Sequence, residues 1–230
     1  MANPLGASLA ALGDLGSRAL RGLVLASMLV AAVLLSGAVW AVITFAVPLI
    51  PAWAGWWGQA AELALSGAVI VLAVALSLAL WPLVAMVVSG LFADVAADRL
   101  EAAQLPEAAR GRAPSPLVGL AAGLRFAAVS LPLNLLALPL YFIPVLNLVV
   151  AVALNGFLLS RENFILAKLR HGSFAGALVL LRRHRGTVLL AALPAAVVSL
   201  VPVVNAVVPL WTLATMVRLR QQLTPAPIGA

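Results

Sequence analysis

Arg18 and Arg21 stand one helical turn apart where a charge-free run, residues 22–61, begins. A helix starting there offers free N–H groups and the positive end of its dipole, and two guanidinium groups add charge-assisted donors. That combination suits a small oxyanion such as sulfate. Basic residues at a cytoplasmic helix end are also ordinary topology signals, so both readings stand at this point. Other charged groups fall at the edges of apolar runs. Asp94, Asp98 and Glu101 form a solvated helix end paired with Arg99, Arg110 or Arg125, or else a cation or proton site. Arg161 and Glu162 sit where another apolar run ends, and are read as an ion pair anchoring that edge. A carboxylate inside the membrane itself would be a functional candidate. His171 and His184 lie among arginines and are read as solvated interface residues rather than ligands. There is no cysteine, hence no disulfide, thiolate metal site or thiol nucleophile. No phosphate-binding loop, zinc-protease helix or paired-carboxylate motif occurs. The expectation is no catalytic residue, no metal, no cofactor and no enzymatic activity.

The elements that must hold these groups follow from composition. The 230 residues are 64% hydrophobic and only 9% charged, with mean hydropathy +1.15. Soluble domains are about 45–50% apolar and about 25% charged. Four stretches, 22–61, 63–93, 126–160 and 187–217, carry no Asp, Glu, Lys, Arg or His. A spanning helix needs about 20 such residues, so the chain reads as an all-α integral membrane protein with the lipid bilayer as its surroundings. The net charge of +7 comes from residues flanking the apolar runs, a topology pattern and not a nucleic-acid surface. The first apolar run, 22–50, is too long for the core of a cleavable signal.

Asn3-Pro4 predicts a helix cap and first-turn proline, and Leu5, Leu9 and Leu12 then share a face. Residues 4–16 are read as a short interface helix, or alternatively as a frayed terminus. Residues 18–47 form the first transmembrane helix. Pro48, Pro51, Trp53, Trp56 and Trp57 make an aromatic-anchored turn. A second long helix, 59–104, outreaches the ~30 Å hydrocarbon layer and carries its acidic end into the cytoplasm. Pro106, Gly111, Pro114 and Pro116 mark a loop.

Ile143-Pro144-Val145-Leu146-Asn147 returns as Val201-Pro202-Val203-Val204-Asn205, each in the middle of a charge-free stretch with basic residues at both ends. Two full crossings need about 40 residues plus a turn, more than either stretch supplies. One crossing each would put Arg161, Lys168, Arg170, Arg182, Arg183 and Arg185 outside, against the positive-inside tendency. It would also bury Pro132, Pro139 and Pro144, or Pro194, Pro202 and Pro209, in a continuous helix. Two re-entrant, hemi-penetrating hairpins, 116–160 and 186–222, with arms of about 15–18 residues, satisfy every constraint. All 14 basic residues and the N-terminus are then cytoplasmic. Turn backbone at membrane depth needs protein or a water-filled cavity around it. Asn147 and Asn205 either bond the turns of their own tips or line a polar path beside Pro144 and Pro202. Such tips point to a homo-oligomer. The segment 161–185 reads as a surface-lying amphipathic helix broken at Gly172. Gly119/Gly123 and Gly172/Gly176 have the spacing that permits close helix contact.

Three segments carry a family likeness: Leu140-Tyr141-Phe142-Ile143-Pro144, Val201-Pro202-Val203-Val204-Asn205, and Gly90-Leu91-Phe92-Ala93-Asp94 through Leu100-Glu101. In these, and in the order of its elements, the chain resembles the CysZ sulfate-transporter family of the etoposide-induced-protein superfamily. The resemblance implies two long membrane helices, two partly penetrating hairpins and a homo-oligomer in the bacterial inner membrane. It further implies sulfate uptake for cysteine synthesis, with no ATPase domain on the chain. Family members bind sulfate at a Gly-Leu-Arg-like motif, often with a second arginine, at the start of the first long helix. The matching positions here are Ala19-Leu20-Arg21-Gly22, which keep Arg21 but neither the glycine nor the second arginine. Arg18 stands one turn earlier. The implied anion site is therefore Arg21 with Arg18, Leu20 and Gly22, and the implied function a multi-pass permease or channel for sulfate or a related oxyanion. The alternative is a scaffold or lipid-interacting membrane protein that transports nothing.

Overall fold

The computed structural model describes residues 2–18, 20–50, 55–201 and 204–224, with side chains at all of these except 31, 76, 78–91 and 206. The described residues are helices and short connections, without a strand. Helix α1 (Pro4–Leu15) starts as its sequence dictates, with Pro4 in the first turn and the Asn3 side chain accepting from Gly6 N at 2.8 Å. Its small face, Ala7, Ser8 and Ala11, is buried against α7 and α8, while Leu5, Leu9 and Leu12 point outward. α2 (Arg21–Ala41) continues through a widened turn, Val42–Ala46, and a tight one, Val47–Leu49, where Pro48 lies. α3 (Gly55–Gln104) has 50 residues and is about 75 Å long, so it extends far beyond any bilayer core. Trp56 and Trp57 stack at its start with ring centroids 3.7 Å apart. Pro51 and Trp53 lie outside the described residues.

The first hairpin consists of α4 (Pro116–Tyr141) and α5 (Leu146–Leu169). Its tip is a three-residue γ-turn: Leu146 N donates to Pro144 O at 2.8 Å across Val145, whose φ is +69°. A positive φ is costly for a β-branched residue. The arms have 26 and 24 residues, longer than the sequence predicts. The reason is that they run past the charge-free stretch and take in Arg125, Arg161 and Glu162. Pro132 and Pro139 are inside α4 without ending it.

The segment 161–185 breaks at a turn that contains Gly172, and it does not lie wholly on a surface. Its first part is the end of α5, with Phe164, Ile165, Ala167 and Leu169 buried. A turn at 170–173, which contains Gly172, leads to α6 (Phe174–Arg183), capped by the Ser173 hydroxyl accepting from Gly176 N at 3.2 Å. The burial arises because α7 (Arg185–Val198) and α8 (Val208–Leu223) pack over this part of α5.

Four stretches are long and apolar enough to cross a membrane: Arg21–Leu49, Gly55–Ala75, Pro116–Tyr141 and Leu146–Leu169. Outward-facing Leu25, Leu29, Val33, Leu63 and Leu72 leave this part of α2 and α3 with apolar surface that water would not tolerate. The interior lies elsewhere. α1, α7, α8, the last turns of α3 and the end of α5 form one core, rich in alanine, that lets helices approach closely. Trp211 Nε1 donates to Ser8 O at 2.8 Å, and Arg218 binds Asp14 through two bonds of 2.6 and 2.7 Å, fastening α8 to α1. Among the described residues, no other part of the chain comes within 4 Å of where a Cβ on Gly119, Gly123 or Gly172 would be, so these glycines make no close helix contact with them. Gly176 meets only its own cap, Ser173 Oγ, at 3.4 Å.

Candidate functional site

A chamber of about 420 Å³ opens between the two helical pairs, with a mostly apolar wall, Leu158 and Leu159 included, into which a few polar side chains are set. Two apolar-looking helices build most of it. On α4, Phe126, Ser130 and Asn134 recur every four residues and share a face. On α5, Asn155 and Glu162, seven residues apart, also share a face. Ser199, Asn205 and Pro209 close it from the second pair. Local bonds fix the polar groups. Asn155 Nδ2 donates to Ser199 Oγ at 3.1 Å, and Ser199 Oγ donates to Ala196 O at 2.7 Å. Asn134 Nδ2 donates to Ser130 O at 2.8 Å. Glu162 makes no hydrogen bond or ion pair among the described residues. Amide and hydroxyl groups without an excess of fixed charge can exchange hydrogen bonds with a partly dehydrated ion without trapping it.

The residues singled out from the sequence are scattered. Asn205 lines the chamber; its backbone N donates to Val201 O at 2.9 Å. Pro202 lies outside the described residues. Pro144 and Asn147 are at the other tip and do not line the chamber, and Asn147 makes no side-chain hydrogen bond among the described residues. Arg161 and Glu162 do not pair: neighbouring positions on a helix diverge by about 100°, so they cannot face each other. Both line a smaller cavity of about 210 Å³ with Arg125 and Phe174. Arg18 and Arg21 are exposed at the turn into α2, Gly22 is exposed beside them, and Leu20 is buried as an anchor. Leu20 N and Arg21 N donate to Ser17 O at 3.2 and 2.9 Å, so these two N–H groups are already engaged. What remains for an anion there is the two guanidinium groups and the Gly22 N–H, which has no backbone acceptor among the described residues.

Asp94, Asp98 and Glu101 are not a helix end held by Arg110 or Arg125. Arg110 donates to the carbonyls of Leu105 and Ala102, and the Arg125 guanidinium lies 4.6 Å over the Phe174 ring. The basic partners of these carboxylates come from the distant 170–173 turn and from α8. Arg170, whose side chain is 2% exposed, reaches Asp94 at 3.5 Å, Glu101 at 3.6 Å and, most closely, Asp98. Glu101 is fully buried. It accepts from Gly111 N and from His171 Nε2, each at 2.7 Å, with Arg220 at 3.9 Å. Burial pulls the His171 pKa below its ordinary value of 6.5, against the opposing pull of the Glu101 bond. Among the described residues no group of three or more His, Cys, Asp or Glu side chains is arranged to hold a metal ion.

Curated proteins and solved structures gave no match to this chain. One family model does match, over residues 7–209, and carries the description sulfate transporter CysZ/etoposide-induced protein 2.4. That span takes in α1 through the first turn of α8, the chamber and both long helices. The chain is therefore a membrane protein with several apolar helices that belongs to the CysZ/etoposide-induced protein 2.4 family.

Proposed function

We propose that this protein is a permease or channel for sulfate or a related small oxyanion, working as a homo-oligomer in a bacterial inner membrane and supplying sulfur for cysteine synthesis. The observation that carries the reading is the chamber. Ser130, Asn134, Asn155, Ser199 and Asn205 come from segments otherwise almost wholly apolar, yet converge on one space. Polar side chains inside membrane helices are costly, and they concentrate along substrate paths. In this reading both hairpins enter and leave on the cytoplasmic face, which keeps the N-terminus and every basic residue on that side. Arg21 and Arg18 gather the anion at the mouth of α2, and the hairpin arms shape the route.

The test is uptake of labelled sulfate into proteoliposomes of the purified full chain. Uptake above protein-free vesicles, competed by unlabelled sulfate, is the expected result. Folded protein that carries no sulfate, sulfite or thiosulfate would return the chain to the non-transporting scaffold reading.

A further inference from the structure

We infer that Arg125 and Arg161 form an oxyanion-binding vestibule at the base of the first hairpin, opening past Glu162 into the chamber. The inference deepens the transport reading and rests on it for the direction of travel, but the site has its own evidence. Arg125 lies nine residues after the start of α4 and Arg161 eight before the end of α5, about 14 and 12 Å in along antiparallel arms. The two guanidinium groups therefore meet at one level, and both line the 210 Å³ cavity. Its floor is open because Gly119 and Gly123, on the same face of α4, carry no side chain, and no other described residue fills the space.

Arg125 is exposed and Arg161 half-buried, and among the described residues neither has a carboxylate within 4 Å, whereas the buried arginines Arg170 and Arg220 each face one. Arg125 stacks on Phe174, which orients its plane and leaves its N–H edge free. Arg161 is half-buried and has no hydrogen bond among the described residues. Two orientable guanidinium groups around a small cavity are the donor set for a tetrahedral oxyanion, whether a free ion or the phosphate of a lipid headgroup. Phe126 and Glu162 line this cavity and the larger chamber alike, so the two spaces adjoin. Glu162 stands at the junction as the one carboxylate facing the bound anion.

The test compares the full-length wild type with Arg125→Gln/Arg161→Gln and with Arg125→Lys/Arg161→Lys as the charge-retaining control. Sulfate is titrated calorimetrically in neutral detergent, retained phosphatidylglycerol is counted by native mass spectrometry, and sulfate uptake is measured in proteoliposomes. Binding at least about tenfold weaker in the glutamine pair, partly kept in the lysine pair, identifies a free-anion site. Sulfate binding unchanged with phosphatidylglycerol lost from the glutamine pair also upholds the site, with a headgroup as its ligand. Sulfate and lipid binding both unchanged overturns the inference, and the transport reading survives if the wild type still moves sulfate. Loss of binding in the glutamine pair without wild-type uptake keeps the site and removes the transport reading.

Discussion

Glu101 and Glu162 are both helix carboxylates turned toward the protein, and their surroundings are opposite. Glu101 is wholly buried and meets Gly111 N, His171, Arg170 and Arg220. Glu162 faces two linked cavities and has no partner among the described residues. The first arrangement spends its charge on holding three distant parts of the chain together: the end of α3, the 170–173 turn and α8. Both Glu101 oxygens are met by donors of the chain, one by Gly111 N and the other by His171. The second arrangement leaves charge and space available. Within one chain, the compensated cluster reads as structure and the uncompensated one as function.

Removing the compensation should give the largest effect. Glu101→Ala strands Arg170 and His171 in the interior and should destabilise the protein by about 3–5 kcal/mol. Thermal unfolding in detergent measures it, and a melting temperature close to wild type would mean the cluster is not structural. Gly111→Ala comes next. A Cβ there would lie 2.7 Å from Arg170 Cβ and 2.8 Å from Arg170 O, so the loop must move off its partner. The Gly111 N–H bond to Glu101 and the Arg112 N bond to Arg170 O would suffer together. We expect a loss of about 1–3 kcal/mol in the same assay.

A smaller effect is expected from pH. His171 binds its proton less tightly when folded than when unfolded, because burial disfavours its charged form more than Glu101 restores it. Arg220 and Lys168 push in the same direction as burial. Stability from this group is therefore full above the ordinary value of 6.5 and is lost as pH falls below it. Between pH 7.5 and 5.5 the wild type should lose melting temperature relative to His171→Asn. An equal slope in both proteins would assign the acid sensitivity to other groups.

Much of the helical order was legible because apolar runs need no partner to declare themselves. The Asn3-Pro4 start of α1 and the long reach of α3 follow from local rules alone. The far end of the first hairpin did not, because counting charge-free residues stops at 160, whereas α5 runs on through Arg161 and Glu162 to Leu169. The Glu101 cluster was hidden for a different reason: its histidine partner lies 70 positions away. Arg110 and Arg125 were nearer in sequence, but their side chains go elsewhere. The chamber left one signal that could have been read, the four-residue step from Ser130 to Asn134 and the seven-residue step from Asn155 to Glu162. Each is unremarkable on its own helix. The steps acquire meaning only when α4 and α5 are set face to face with the second pair.

The sharpest contrast comes from making one substitution at both carboxylates. Glu101→Gln removes a charge that Arg170 and His171 depend on, and should destabilise. Glu162→Gln removes a charge that nothing in the chain pairs with. Its folding stability should not fall and should rise, since no favourable contact is lost and a desolvated carboxylate without a partner is costly to keep. What should change as well is the approach of an anion to Arg125 and Arg161, because any negative charge on that carboxylate is gone. Sulfate binding and uptake should rise with no loss of stability, with the gain largest at low ionic strength, where repulsion is least screened. A stability loss at Glu162 matching that at Glu101 would show that it too is held by partners, and the division between a structural and a functional carboxylate would fail.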